Sequence, residues 1–107
     1  MDDFQVALTT CPRDKSEELA YILVKSRFCA CVNIISNVKS IYHWKGKIVT
    51  DDEALLIMKT TDSCKEGLWK LIKENHPYET PEFVVIPIKW GSLEYLKWIE
   101  ESVNCPE

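Results

Sequence analysis

The chain has 107 residues, 46% of them apolar, with three glycines, five prolines and a net charge of -4. Such a chain suits one packed domain, residues 1–107, that buries about two thirds of its unfolded surface without staples. The acidic balance and the want of any Lys/Arg cluster argue against a phosphate-neutralising nucleic-acid surface, and no run approaches the ~20 apolar residues of a membrane span.

The acidic start, Met1-Asp2-Asp3, lacks the basic and apolar regions of a secretory leader, so a cytoplasmic location is expected. Phe4, Val6 and Leu8 then alternate with Gln5, Ala7 and Thr9, the period-2 pattern of a strand, which Pro12 ends. Asp14 followed by Glu17 forms a helix-start box, and Leu19, Ile22, Leu23 and Ser26 share one helical face. Together they predict a first helix over 14–27. Residues 30–49 hold the strand formers Val32, Ile34, Ile41, Tyr42 and Trp44 with no helical period. Ser36-Asn37 marks a bend or bulge within this long strand, and Gly46 between Lys45 and Lys47 marks a hairpin tip.

The returning strand is expected over 48–60, centred on Ala54 to Met58. Ser63 with Glu66 forms a second helix-start box, and Leu68, Leu71 and Ile72 supply the apolar face of the second helix. Gly67 costs that helix about 1 kcal/mol relative to Ala. Pro77 stops it, because the residue before a proline avoids the α region. A fourth strand over 82–89 carries Pro87, which cannot donate to a ladder and therefore belongs at a sheet edge. Gly91-Ser92 caps a short last helix with Leu93, Leu96 and Ile99.

The element order, βαββαβ plus a C-terminal helix, is the split βαβ arrangement of a ferredoxin-like two-layer α+β sandwich, with strand order 4-1-3-2 and both long helices on one face. The strands are apolar on both sides, as in Leu55-Leu56-Ile57-Met58 and Phe83-Val84-Val85-Ile86. A helix-free face of that composition would be a large exposed apolar patch. A closed homo-oligomer covers it most simply; the alternative is a monomer whose third helix folds under the sheet. The long hairpin projects beyond the two-helix layer, and its Tyr42 and Trp44 are candidate interface residues, with Trp44 the anchor.

Five cysteines, Cys11, Cys29, Cys31, Cys64 and Cys105, are an odd set with no leader and read as free thiols in a reducing compartment. The one-residue gap of Cys29-Ala30-Cys31 is not the spacing of zinc or redox motifs, so these read as packing residues. The topology brings Cys11, His76 and the hairpin tip to one end of the sheet. Cys11 and His76 are the candidate metal ligands: thiolate and imidazole suit copper, the negative end of a helix favours a cation, and Glu79 and Glu82 add carboxylate oxygens. The structural reading of the same residues is that His76 closes the second helix and Cys11 packs beneath a loop. His43 reads as an interface or surface residue. Tyr78-Glu79 between Pro77 and Pro81 reads as a stiff turn, or as part of a small-ligand cleft between subunits. Glu53 and Lys59 share a face with Leu55 and Ile57, pairing or solvating the strand ends. With no Gly-rich phosphate loop and no spacing that assembles a triad, no enzymatic activity is expected.

Ala30-Cys31-Val32-Asn33-Ile34-Ile35, Ser40-Ile41-Tyr42-His43-Trp44-Lys45-Gly46-Lys47-Ile48, Glu53-Ala54-Leu55-Leu56-Ile57-Met58-Lys59-Thr60 and His76-Pro77-Tyr78-Glu79-Thr80-Pro81-Glu82, with Gly91, Tyr95-Leu96 and Trp98-Ile99, resemble the CutA family of divalent-cation tolerance proteins. The resemblance runs from about Val6 to Ile99. It implies a ferredoxin-like fold, a homotrimer, a link to tolerance of divalent cations, copper above all, and no established enzyme activity. It makes copper or another divalent cation the implied ligand. The match to the metal pattern of some members, a Cys near the end of the first strand and a His-His pair, is incomplete. Thr9 stands at the Cys position, Asn75 replaces the first His, and His76 keeps the second. Three functions follow for comparison: a trimeric metal-handling or metal-response protein, a small-ligand sensor or scaffold of PII-like architecture, and a trimer that displays surfaces to protein partners.

Overall fold

A computed structural model describes residues 3–106; Met1 and Asp2 of the acidic start lie outside the described residues. Strand β1 spans Phe4–Pro12, helix α1 Ser16–Lys25, strand β2 Cys31–Trp44, strand β3 Lys47–Thr61, helix α2 Lys65–Asn75, strand β4 Val84–Pro87 and helix α3 Leu93–Ser102. One antiparallel sheet holds the four strands in the order β2-β3-β1-β4. That is the expected order, with Pro87 on the edge strand opposite Gln5.

Strand alternation sorts the side chains onto two faces. Ala7 and Cys11 of β1 lie with Ala54, Leu56 and Met58 of β3 on the face covered by Leu19 and Leu23 of α1 and Leu68 and Ile72 of α2. Trp69 stacks on Phe83 with ring centroids 5.2 Å apart, tying α2 to the start of β4. Register puts Leu8, Ile57 and Val84 in one row of the opposite face and Val6 and Ile86 in the next, with Ile35 and Leu55 beside them. Ile35 is 47% exposed, Val84 47% and Ile86 50%. Helix α3 meets β3, burying only Ile99, and its Tyr95 lies close to Cys31 at one corner of this face. Its Ser92 caps it as expected, the Tyr95 N–H donating to Ser92 Oγ at 3.3 Å.

Both helix-start boxes need correction. Each long helix is entered through a 3₁₀ turn, Arg13–Lys15 before α1 and Asp62–Cys64 before α2, and neither N-cap makes a side-chain bond. Asp14 sits inside the first turn and caps nothing. The Asp62 carboxylate accepts from Gln5 Nε2 at 2.8 Å and pairs with Lys65 Nζ at 2.7 Å, while Ser63 Oγ lies 3.4 Å from Thr61 Oγ1. Helix α1 also stops at Lys25, two residues short of the expected end, because Arg27 takes a positive φ of 65°.

The hairpin sets the molecule's long axis. Fourteen residues in β2 at about 3.3 Å each reach some 46 Å, against a longest extent of 44 Å. Its two-residue tip, Lys45-Gly46, has positive φ at both positions, the geometry of the tightest right-twisted hairpins. A β-bulge falls at the predicted Ser36-Asn37: Ile35 faces Leu55, but the next pair is Val38 with Glu53. The extra residue switches parity along β2. Odd-numbered residues share the open face before it, whereas Ser40, Tyr42 and Trp44 share it afterwards.

The free-thiol reading is also corrected. Cys64 and Cys105 form a disulfide with Cα atoms 5.4 Å apart, and Cys11, Cys29 and Cys31 are free. The tail that carries Cys105 is held further by Asn104 N–H donating to Arg27 O at 3.0 Å. Among the described residues, no helix is long and apolar enough to cross a membrane.

Candidate functional site

The segment from His76 to Glu82 crosses from α2 to β4 over the end of the sheet. Pro77 and Pro81 stiffen it, and three bonds pin it down. Thr9 Oγ1 donates to Glu82 O at 2.6 Å, and Tyr78 OH donates to Glu53 Oε2 at 2.6 Å. The third is made by the Nε2 of His76, whose other ring nitrogen, Nδ1, accepts the Tyr78 N–H within the strap at 3.1 Å. Nε2 therefore carries the ring proton and donates it to Thr10 O at 2.7 Å.

Between this strap and the distal hairpin lies a cleft of about 740 Å³. Thr10, Glu53, Ser40, Tyr42 and Trp44 form its floor and one wall, and the Pro77–Glu82 strap forms the other. Parity puts Thr10, Glu53, Tyr42 and Trp44 on one side of the sheet, so the cleft continues the open apolar face. Glu53 is only 4% exposed. Its charge, after burial, holds Glu82 above the ordinary carboxylate range. Burial, the bond to Glu53 and Glu53's charge together raise the Tyr78 phenol. Tyr42 OH is hydrogen-bonded to Asp51 Oδ2, which raises that phenol too.

The structure brings His76 to the backbone beside Cys11 without making the two a donor pair. His76 bonds Thr10, the residue before Cys11, yet both ring nitrogens are already engaged. Cys11 is fully buried in the core cluster, and burial first, with Glu53 and Asp14 behind it, pushes its thiol up to about 11. No group of three or more His, Cys, Asp or Glu among the described residues is spaced to hold a metal ion. A resident divalent ion on Cys11 and His76 does not fit this arrangement.

Other expected residues divide in the same way. His43 is exposed on β2 opposite Ile48. Tyr42 and Trp44 are the hairpin's share of the cleft wall, and Tyr78, Glu79 and Glu82 are the strap's. Glu53 and Lys59 do not pair: Lys59 Nζ bonds Asn33 Oδ1, and Glu53 meets Tyr78. Glu53 is thus the site residue that sequence reasoning placed at a solvated strand end. The signal that could have found it is a carboxylate at a register position directly beside Ala54 and Leu55.

The sequence profile of the CutA1 divalent ion tolerance proteins matches residues 5–102. "Protein CutA 1, chloroplastic" of Oryza sativa is 40% identical over 99 residues, 92% of this chain and 56% of that protein. The chain thus spans about half the length of this plant relative. The divalent-cation tolerance protein CutA of Thermus thermophilus is 42% identical over 101 residues, 94% of this chain and 98% of that one. Its solved structure superposes with a TM-score of 0.91, covering 94% of this chain and 99% of that chain at 41% identity. The structure described as "PII-like protein CutA from Nostoc sp. PCC 7120 in apo form" gives a TM-score of 0.90 at 38% identity, covering 95% and 99%.

Proposed function

The chain belongs to the CutA1 divalent ion tolerance protein family, and from that premise we propose a non-catalytic homotrimer of ferredoxin-like subunits that holds a small ligand in the cleft beside Glu53 and Tyr78. The observation that carries this reading is the cleft itself: a concave space of about 740 Å³, within the range of small-molecule sites, with one wall pinned by three hydrogen bonds. The name PII-like, given to the Nostoc relative, agrees with a sensor role.

The assembly is supported by the open face, where Ile35, Val84 and Ile86 stay about half exposed in a single copy. Covering about 800 Å² per subunit is ordinary for a specific interface. Tyr42 and Trp44, which continue that face along the hairpin, are its proposed contact residues. Divalent-cation tolerance then reflects a response rather than carriage of the ion on Cys11 and His76. A cytoplasmic site of action is part of the same proposal, although Cys64 and Cys105 no longer support it as free thiols.

Sedimentation equilibrium tests the assembly: three chain masses are expected, with dissociation favoured in Trp44→Ala. A stable single-copy mass at micromolar concentration would overturn it. Copper titration tests the metal part: binding no tighter than to the exposed imidazole of His43 is expected. Stoichiometric copper binding lost in His76→Ala or Cys11→Ser would reverse the reading.

A further inference from the structure

We propose that Cys105 is a site of reversible S-thiolation, at which a small thiol of the glutathione class opens the Cys64–Cys105 bond and unlatches the C-terminal tail. Cys64 follows directly on the end of β3, where Phe4 faces Thr61, whereas the hairpin tip, the strap and the cleft lie at the other end of the sheet. The latch draws on none of the residues proposed for the subunit contact.

The noncovalent hold on the tail is slight. Residues 103–106 include no buried side chain. Asn104 N–H donates to Arg27 O at 3.0 Å, and Arg27 Nη1 donates to Ser102 O at 3.4 Å, with Arg27 itself exposed. Helix α3, which leads into the tail, buries only Ile99. The core cluster beneath α1 and α2 contains neither Cys64 nor Ile99. Opening the bond therefore frees the tail and leaves the body of the fold packed, which is the condition for a local transition.

The two sulfurs are unequal. Cys64 is 1% exposed at the N-cap of α2, and Cys105 is half-buried. An incoming thiolate therefore meets Cys105 Sγ first. A new S–S bond forms there as the Cys64–Cys105 bond breaks, and the electron pair of the broken bond leaves on Cys64 Sγ, which then takes up a proton. That charge departs at the positive end of an 11-residue helix, where backbone N–H groups favour an anion. The neighbouring carboxylate, Asp62, is paired with Lys65 Nζ at 2.7 Å. A second thiol attacks the external sulfur of the mixed disulfide and releases Cys105. Two external thiols thus become one disulfide, and their two electrons and two protons end on Cys64 and Cys105. Two of the chain's own thiols do not compete: Cys11 and Cys29, pushed up to about 11 and about 12 chiefly by burial, stay protonated at neutral pH.

The test incubates the oxidised full chain with glutathione at neutral pH, blocks free thiols at successive times, locates the adduct by peptide mass spectrometry and reads amide exchange. An adduct on Cys105 with a free thiol at Cys64 is expected. Exchange at the Val103 and Asn104 amides should rise about tenfold or more while Leu56 and Met58 in β3 keep their protection, and glutathione disulfide should restore the tail. Cys105→Ser, which spares the buried Cys64, should exchange like the reduced chain at unchanged sedimentation mass. An adduct on Cys64 or Cys31 with none on Cys105 at any time would overturn the site. A bond that glutathione leaves closed, a tail equally protected in both states, or protection lost throughout β3 would make Cys64–Cys105 a fixed staple and overturn the latch.

Discussion

Gly67→Ala separates helix propensity from packing. Propensity alone says that Ala at the third position of α2 stabilises by up to about 1 kcal/mol. The structure says otherwise: a Cβ at residue 67 would stand 2.7 Å from Phe28 Cε1, 2.9 Å from Cζ and 3.1 Å from Cδ1. Phe28 cannot retreat by its backbone, because its N–H is bonded to Ser26 Oγ at 3.1 Å and its carbonyl accepts from Thr60 Oγ1 at 2.6 Å. Only the ring can swing, away from the core against which it packs. Overpacking of this kind costs about 1–3 kcal/mol, so the expected net effect is a loss of about 1 kcal/mol. Urea unfolding at one fixed protein concentration measures it, and Phe28→Leu in the Gly67→Ala background should restore the propensity gain. A single variant that is more stable by about 1 kcal/mol would refute the argument, since it would mean that the ring gives way freely.

His76→Ala removes one bond to Thr10 O and one from the Tyr78 N–H, and should destabilise by about 3 kcal/mol through two stranded backbone groups; hydrogen exchange at the Tyr78 amide should rise with it. Burial pushes the Cys11 thiol to about 11 and, with Cys31 nearby, Cys29 to about 12, from an ordinary 9.0. These thiols resist ionisation only when folded, so their stabilising share is whole below pH 9 and is lost as pH climbs through 11 and 12. Cys29→Ala should therefore lose stability less steeply than the parent over that window, and parallel pH profiles would contradict the assignment. Thiol titration in denaturant should count three groups before reduction and five after, given Cys64–Cys105. Reduction should lower stability by up to about 4 kcal/mol for a 41-residue loop, and five groups at the outset would show the bond absent.

Where a local rule had one physical outcome, the sequence was sufficient. Pro87 can sit only where no ladder bond is asked of it, and it lies on the edge strand. The Ser36-Asn37 bulge, the Lys45-Gly46 tip and the Ser92 cap are likewise products of turn and cap chemistry. The rules failed where a side chain had a better offer from far along the chain. Asp62 bonds Gln5, 57 positions away, and Cys64, the N-cap of the helix that follows, makes no side-chain bond. Cys64 and Cys105 meet only because the tail past α3 is drawn back beside Arg27, and nothing in their spacing signals that pairing. At the site, His76 was legible as a special residue because Pro77 follows it. Its partners were not, since Thr10 lies 66 positions away. Glu53 was misjudged for the same reason: its burial depends on Tyr78, 25 residues on.

The bulge at Ser36-Asn37 holds the ribbon's one spare residue. Two residues of β2 stand there against a single residue of β3, and pairing resumes at Val38 with Glu53. Deleting either of the two would keep every outer pair, Tyr42 with Val49 and Trp44 with Lys47 among them, and would leave both rings on the open face. What the deletion would remove is the local kink and added twist, and so the angle at which the outer half of the ribbon leaves the sheet.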